Sequence, residues 1–324
     1  MRKALALLFS LPLLGIAQNT VCFNIEANPN PNDLALSPFT KYVDVLGCFN
    51  IYAENTISDA KVKHAAAVAA ELLDNDEDGI VDDPLIAAQL TNKNALMPLF
   101  FQDGNSAMNT FEYNYNGDGV SAVLFDDEID PSQTGHWGSD ATVEEIMHTI
   151  NHVGHTNVYS SAFSLGPNSS LMSTAMDAAR GGQFMTIPNP YPASAWYHYG
   201  DQTCDYECMV IEYMYWALVS NMGILDSPQT ASGIANEWEA YSANLLQSMD
   251  VLMFSLITDA QYKLPQLAPD GNYCPIPSAI SEINKKRKLI KMIDVFGRNT
   301  IATYNNPLFY IYVNGSVEKK IIIE

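Results

Sequence analysis

Between Glu144 and His155 the chain reads EEIMHTINHVGH, placing three of its six histidines just after two glutamates. Imidazole nitrogens and carboxylate oxygens are the donors that zinc and related ions take. His148 and His152 stand four residues apart, one turn of helix, so both can reach a single ion. Glu145 and His155 lie a turn away in either direction. At about 100° per residue, Val143, Ile146, Met147, Ile150 and Val153 fall on one side of such a helix. Glu144, Glu145, His148, His152 and His155 fall on the other. A solvated amphipathic face gives the same division. Against it, histidine is scarce elsewhere, and a wet face in so acidic a chain would more naturally carry Asp, Glu, Ser and Asn. A further ligand can come from Glu212, which sits inside the apolar run CMVIEYMYWALV. A carboxylate buried there needs a partner. A metal would serve, as would Arg180, the only arginine between residues 4 and 286.

A second constellation suits a harder cation. In LLDNDEDGIVDDP, Asp74, Asp76 and Asp78 occupy alternate positions, Gly79 follows, and Asp82 and Asp83 come next. Alternate residues of a tight loop turn their carboxylates into one cavity, glycine allows the sharp turn, and Ile80 can add its backbone carbonyl. This pattern predicts calcium with a structural role. The closing glutamate of a full EF-hand loop is replaced by Leu85, so the loop resembles the shorter Asp-rich loops of extracellular calcium modules. Asn114, Asn116 and Asp118 form a fainter version that reads equally as a hairpin turn.

The elements that position these groups follow from periodicity. An alanine-rich helix is predicted over 58–73, capped by Ser58 or Asp59, and a strand over 120–129. Further helices are predicted over 140–155 with Asp140 as cap, over 170–180 stopping at Gly181-Gly182, over 203–220, and over 234–257. The expected class is α+β, a mainly helical body with a few strands. IPNPYPASAWYHYGDQ (187–202) reads as a rigid aromatic loop or a substrate-binding one, with His198 within reach of a site. His64 and His136 stand apart. Of five cysteines, Cys204 and Cys208 can bridge locally; Cys22, Cys48 and Cys274 complete an odd count that leaves one thiol unpaired. No Gly-x-Ser-x-Gly elbow, phosphate-binding loop or dinucleotide fingerprint is present.

Residues 1–17 have a basic start, a short apolar run and small residues at the end, the layout of a secretory signal peptide. No other segment is apolar for long enough to span a bilayer. Residues 18–274 form the acidic body, and 275–284 a proline-containing linker. Residues 18–283 carry six of the 16 lysines and arginines against 34 of the 37 acidic residues, a net of −28. Such a body does not bind nucleic acid or an anionic membrane by charge. Residues 285–324 reverse the balance. Their lysine-rich start, LIKMIDVFGR, YIYVNGSVEKK and the final IIIE resemble the C-terminal sorting domain of proteins exported by type IX secretion in Bacteroidetes. The resemblance implies a small β-sandwich-like tail, the type IX machinery as partner, and a destination outside the outer membrane or on the cell surface.

His-x3-His on one helix with a glutamate on a later one resembles the gluzincin branch of zinc metallopeptidases. The resemblance implies a zincin-like body with His148, His152 and Glu212 as ligands. The glutamate that follows the first histidine in those enzymes is Thr149 here, which cannot take a proton from metal-bound water. Glu144 and Glu145 lie a turn back, where they are placed to ligate or orient, and they are the candidates left for that task. A di-iron carboxylate bundle needs a second Glu-x-x-His, and the chain has none. Two functions are therefore expected: a metal-dependent hydrolase, or a degenerate relative, acting on extracellular peptide or polymer; or a non-enzymatic, calcium-stabilised surface protein that binds a partner or glycan.

Overall fold

A computed structural model describes residues 22–132, 138, 140–275, 289–294, 297–300, 306–312 and 317–321. The signal segment, residues 276–288 of the linker and tail, His136, Asn314-Gly315 and the last three residues lie outside the described residues. Contacts divide the chain after Cys274 into two units.

The body is α+β. Strands β1 (Glu26–Ala27) and β3 (Phe49–Ala53) each pair antiparallel with β2 (Lys41–Val45), which lies between them. Leu46 and Gly47 both adopt positive φ in the turn between β2 and β3, the backbone that matches the twist of a tight hairpin. Helices α1 (Asp59–Leu73) and α2 (Pro84–Lys93) then carry the chain across to β4 (Leu96–Phe100), which joins β3 in parallel. After α3 (Ser106–Asn114), β5 (Leu124–Phe125) closes the order β1-β2-β3-β4-β5. Alternate residues of the central strands face opposite ways. Phe49, Ile51, Met97 and Leu99 enter the main core, whereas Tyr52, Leu96 and Phe100 enter a smaller one with Phe39 and Phe111.

Helix α1 begins at Ser58, whose hydroxyl accepts the Lys61 amide, and Ala65 to Ala70 are wholly buried. Their small side chains let the strands pack on one flank and α4 (Thr142–Ile150) on another. His64 on α1 is buried against Asp140, Nε2 to Oδ2 at 2.9 Å. The other Asp140 oxygen accepts the Thr142 amide and hydroxyl. Asp140 thus ties the start of α4 to α1, and the helix itself begins at Thr142 without a side-chain cap. Beyond α4 come a π-helical turn (Asn151–His155), the short α5 (Thr156–Val158) and α6 (Ser160–Phe163), and α7 (Leu171–Ala179). Next are α8 (Tyr206–Asn221), α9 (Pro228–Ile234), α10 (Ala243–Met249) and α11 (Val251–Ile257). No helix among the described residues is long and apolar enough to cross a membrane.

Two predicted elements are shorter than their patterns. The strand expected over 120–129 pairs only at Leu124–Phe125, because the acidic residues Asp126–Glu128 turn into a 3-10 helix. The helix expected over 234–257 is interrupted. Trp238 leaves helical geometry to bridge Tyr197, and Asp250 breaks the chain between α10 and α11. Asp250 caps α11 through the Met253 amide and accepts the Tyr213 hydroxyl and the Trp196 indole. Disulfides join Cys22 to Cys274 and Cys204 to Cys208, and Cys48 is a free, buried thiol.

In the second unit, β6 (Leu289–Ile293), β7 (Pro307–Tyr312) and β8 (Val317–Ile321) form one antiparallel sheet in that order. Among the described residues this is a single sheet, where the tail's resemblance implies a sandwich.

Candidate metal centres

Helix α4 buries Val143, Ile146, Met147 and Ile150, and this apolar face fixes its rotation. Glu144, Glu145 and His148 consequently face α8, which crosses it. Helix α8 starts at Asp205, which accepts the Cys208 amide, and the Cys204–Cys208 bridge staples its first turn. It is apolar on every side, and Glu212 is among its few polar residues.

The crossing brings His148 Nε2 to 3.5 Å from Glu212 Oε1 and 3.9 Å from Glu144 Oε1. One donor atom from each of the three residues lies within 4.8 Å of the others. The Tyr215 ring stands 5.5 Å from that of His148, and its hydroxyl donates to Glu144. Burial alone would lower the His148 pKa, but the Glu144 and Glu212 carboxylates outweigh it and push the imidazole up to about 10. Burial raises the Glu145 carboxyl to about 8; His148 opposes that shift, while Glu144, Glu128 and Glu212 reinforce it.

Two cavities meet at this cluster. One, about 340 Å³, is lined by Glu145, His148, His152, Glu207, Cys208 and Glu212 among others. The other, about 450 Å³, is lined by Glu144 and Glu212 among others. His152 faces the first cavity but is not part of the close cluster, whose place Glu144 takes. Burial lowers its pKa.

His155 is absent from the site. The amide of Thr156 bonds to Asn151, five residues back, so the turn carries more residues than an α-turn and the wheel loses its register. His155 is buried between Tyr159 and Phe163, with ring centroids 6.4 and 6.1 Å away. Burial drives its pKa down to about 4, against the pull of Asp83 and the Tyr262 backbone. It is a neutral core histidine. The widened turn packs tightly on α2: a Cβ at Gly154 would sit 3.1 Å from Ile86 Cγ2.

Thr149 is also turned inward. It is fully buried, its hydroxyl has no hydrogen-bond partner among the described residues, and it lines neither cavity. Arg180 makes no ion pair with Glu212. Its guanidinium lies between the rings of Phe184 and Tyr191, 5.5 and 5.7 Å from their centroids, and donates to the Phe184 carbonyl.

The aspartate loop forms as a compact turn. Asp74, Asp76 and Asp78 present oxygens within 4.8 Å of one another. Asp74 is buried and accepts the amides of Asp78 and Gly79 and the Tyr273 hydroxyl. Gly79 at φ +90° supplies the bend. The Asp82 carboxyl is raised by burial and by Asp76 and Asp74, against the Asn75 amide it accepts. Ile80 is exposed beside these groups, and its amide donates to Asp78. Asp83 departs from the expected ligand set. One of its oxygens caps α2 through the Leu85 and Ile86 amides, and the other accepts the Tyr159 hydroxyl at 2.6 Å. The fainter pattern at 114–118 dissolves, since Asp118 pairs with Lys93 at 2.8 Å and Asn114 bonds to Thr110.

The loop also holds the end of the body. Glu71 accepts the amides of Gly271 and Asn272. Asn75 accepts those of Gln266 and Leu267. Sequence reasoning placed Glu144 and Glu145 to ligate or orient as well as to accept a proton, and missed Tyr215, Glu207 and Glu237. The one signal for Glu207 and Tyr215 was their spacing of one turn or so from Glu212 on the same helix.

Compared with protein-family models, with curated proteins and with solved structures, the chain matches none.

Proposed function

We propose that this is an exported metalloprotein whose centre, built on Glu144, His148 and Glu212, hydrolyses extracellular peptide or polymer. One observation carries the reading: three donors from two separate helices converge within 4.8 Å, with His148 and Glu212 lining one cavity and Glu144 and Glu212 another. One imidazole and two carboxylates are a donor set that zinc accepts, and three protein ligands leave a fourth position for water or substrate. A bound ion would act as a Lewis acid and lower the pKa of its water. Glu145 lines the cavity that His148 and Glu212 line, which places a carboxylate where a general base would act. Tyr215 orients Glu144, and His152 and Glu207 face the cavity. The fold relation to zincins stays at the level of this helix-borne centre.

Calcium in the loop of Asp74, Asp76, Asp78, Ile80 and Asp82 has a structural role in the same reading. Export and a cell-surface or secreted destination rest on the signal-like start and the sorting-domain resemblance of the tail. The two disulfides agree with an oxidising compartment.

The test is metal content per chain by mass spectrometry, on protein purified without chelator, beside His148→Ala. About one transition ion in the wild type and none in the variant is the expected result. Calcium alone in both would overturn the hydrolase reading. A calcium-stabilised, non-enzymatic binding protein would then stand, a reading favoured by the burial of Thr149 where a zincin carries its base.

A further inference from the structure

The cavity that Glu144 and Glu212 line has a chemical character of its own. Besides Glu144 and Glu212, two more carboxylates face it, Glu237 and Asp201, and Tyr199 and Trp216 wall it. Among the described residues that line it there is no lysine or arginine. Glu237 is half-buried and accepts the Trp216 indole at 3.1 Å. No cation among the described residues lies within ion-pair distance of it. The walls are not loose loop. Tyr197 and Trp238 form a β-bridge, the Glu239 amide donates to Trp196, and the His198 amide donates to Glu237.

A divalent ion on Glu144 and Glu212 would balance those two charges and leave Glu237 and Asp201 uncompensated. At about 450 Å³ the space is far larger than a second small ion needs. Carboxylates and aromatic side chains lining one cavity suit an organic cation on an apolar stem, through charge-assisted hydrogen bonds and cation–π attraction. We propose that this cavity receives a lysine or arginine side chain of a peptide, with the head at Glu237 and Asp201 and the stem along Tyr199 and Trp216. The role of that residue beside a bond to be cut rests on the metal-centre reading; its binding in the cavity is tested separately.

Direct binding tests it without requiring turnover. The zinc-loaded full chain is titrated calorimetrically with a blocked hexapeptide carrying one central lysine, and with the same peptide carrying norleucine. The lysine peptide should bind about tenfold tighter or more at low salt, and the advantage should shrink as ionic strength rises. Glu237→Gln keeps the acceptor for Trp216 and should bring the two peptides within about threefold at unchanged metal content. Glu112→Gln, on an exposed face of α3, controls for overall charge and should leave the preference intact. Equal affinity for the two peptides, failure of the lysine peptide to bind, or a preference that Glu237→Gln does not alter would overturn the proposal. Metal content measured on the same samples separates the two claims. A wild-type protein without transition metal that still prefers lysine would sink the hydrolase reading and leave the cavity assignment standing.

Discussion

The two acidic clusters of the body are assembled in opposite ways. Asp74, Asp76 and Asp78 come from one short loop, offer only oxygen, and leave two of their three members exposed. Glu144, His148 and Glu212 come from two helices, add a nitrogen, and lie at the bottom of cavities. A hard cation with many ligands tolerates an open, local loop completed by carbonyls and water. A centre that works on a substrate needs rigid elements, few ligands and a sheltered opening. The loop accordingly bonds to the end of the body, through Tyr273 and the neighbouring Glu71 and Asn75. The helix-borne cluster is held by contacts among its own members and with Tyr215. Loss of the first should cost stability, and loss of the second should cost chemistry.

The largest expected effect comes from Thr149→Glu, the substitution that would restore the zinc-peptidase motif. Because residue 149 is wholly buried, the new carboxylate should destabilise the fold by about 3–5 kcal/mol, read by urea denaturation. Wild-type stability would mean that this position opens to the cleft, and would return the centre to an ordinary zincin arrangement. Next in size, removal of calcium with a selective chelator should lower the unfolding free energy by about 2–4 kcal/mol from a calcium-saturated start. Asp76→Asn/Asp78→Asn should reproduce that loss while the transition metal stays bound. An unchanged melting temperature would erase the distinction between the clusters.

A pH titration sharpens it from the calcium side. Burial raises the Glu71 carboxyl to about 7 from its ordinary 4.5, helped by Asp270 and opposed by the Gly271 and Asn272 amides. A folded-state value above the unfolded one stabilises the protein below pH 4.5, and that stabilisation disappears as pH rises through 7. The loss should amount to about 3 kcal/mol over that window. Glu71→Gln should remove this part of the slope; an unaltered profile would contradict the assignment. The smallest effect is expected at His152. His152→Ala should change metal affinity by no more than about threefold, whereas Glu144→Ala should weaken it tenfold or more. A reversed order in competition with a zinc-responsive dye would restore His148, His152 and Glu212 as the ligands.

The same contrast explains what could be read before any fold was known. The aspartate loop was legible because its geometry is set by alternate residues and one glycine. The helix faces of α1, α4 and α8 were legible for a similar reason, since periodicity records which side is buried. Glu212 stood out as a charge in an apolar run. The wheel failed at His155, where a π-turn changes the residues per turn with no sign in NHVGH. Helix 234–257 failed because Trp238 and Asp250 satisfy partners on distant segments, Tyr197, Tyr213 and Trp196. Asp83 looked like a ligand until α2 and Tyr159 claimed both its oxygens. In each case a tertiary partner decided between local options of similar energy.

The Cys22–Cys274 bridge also governs how the body answers a pull. Its two sulfurs join residues 252 apart, and the Cys22 amide donates to Tyr273 beside them. Tension applied to the chain after 274 against the chain before 22 therefore runs through one covalent link. The intervening loop bears none of the load. Reduction would put the whole body in series with that force. The contacts at Tyr273 and Glu71 would then be the first to shear.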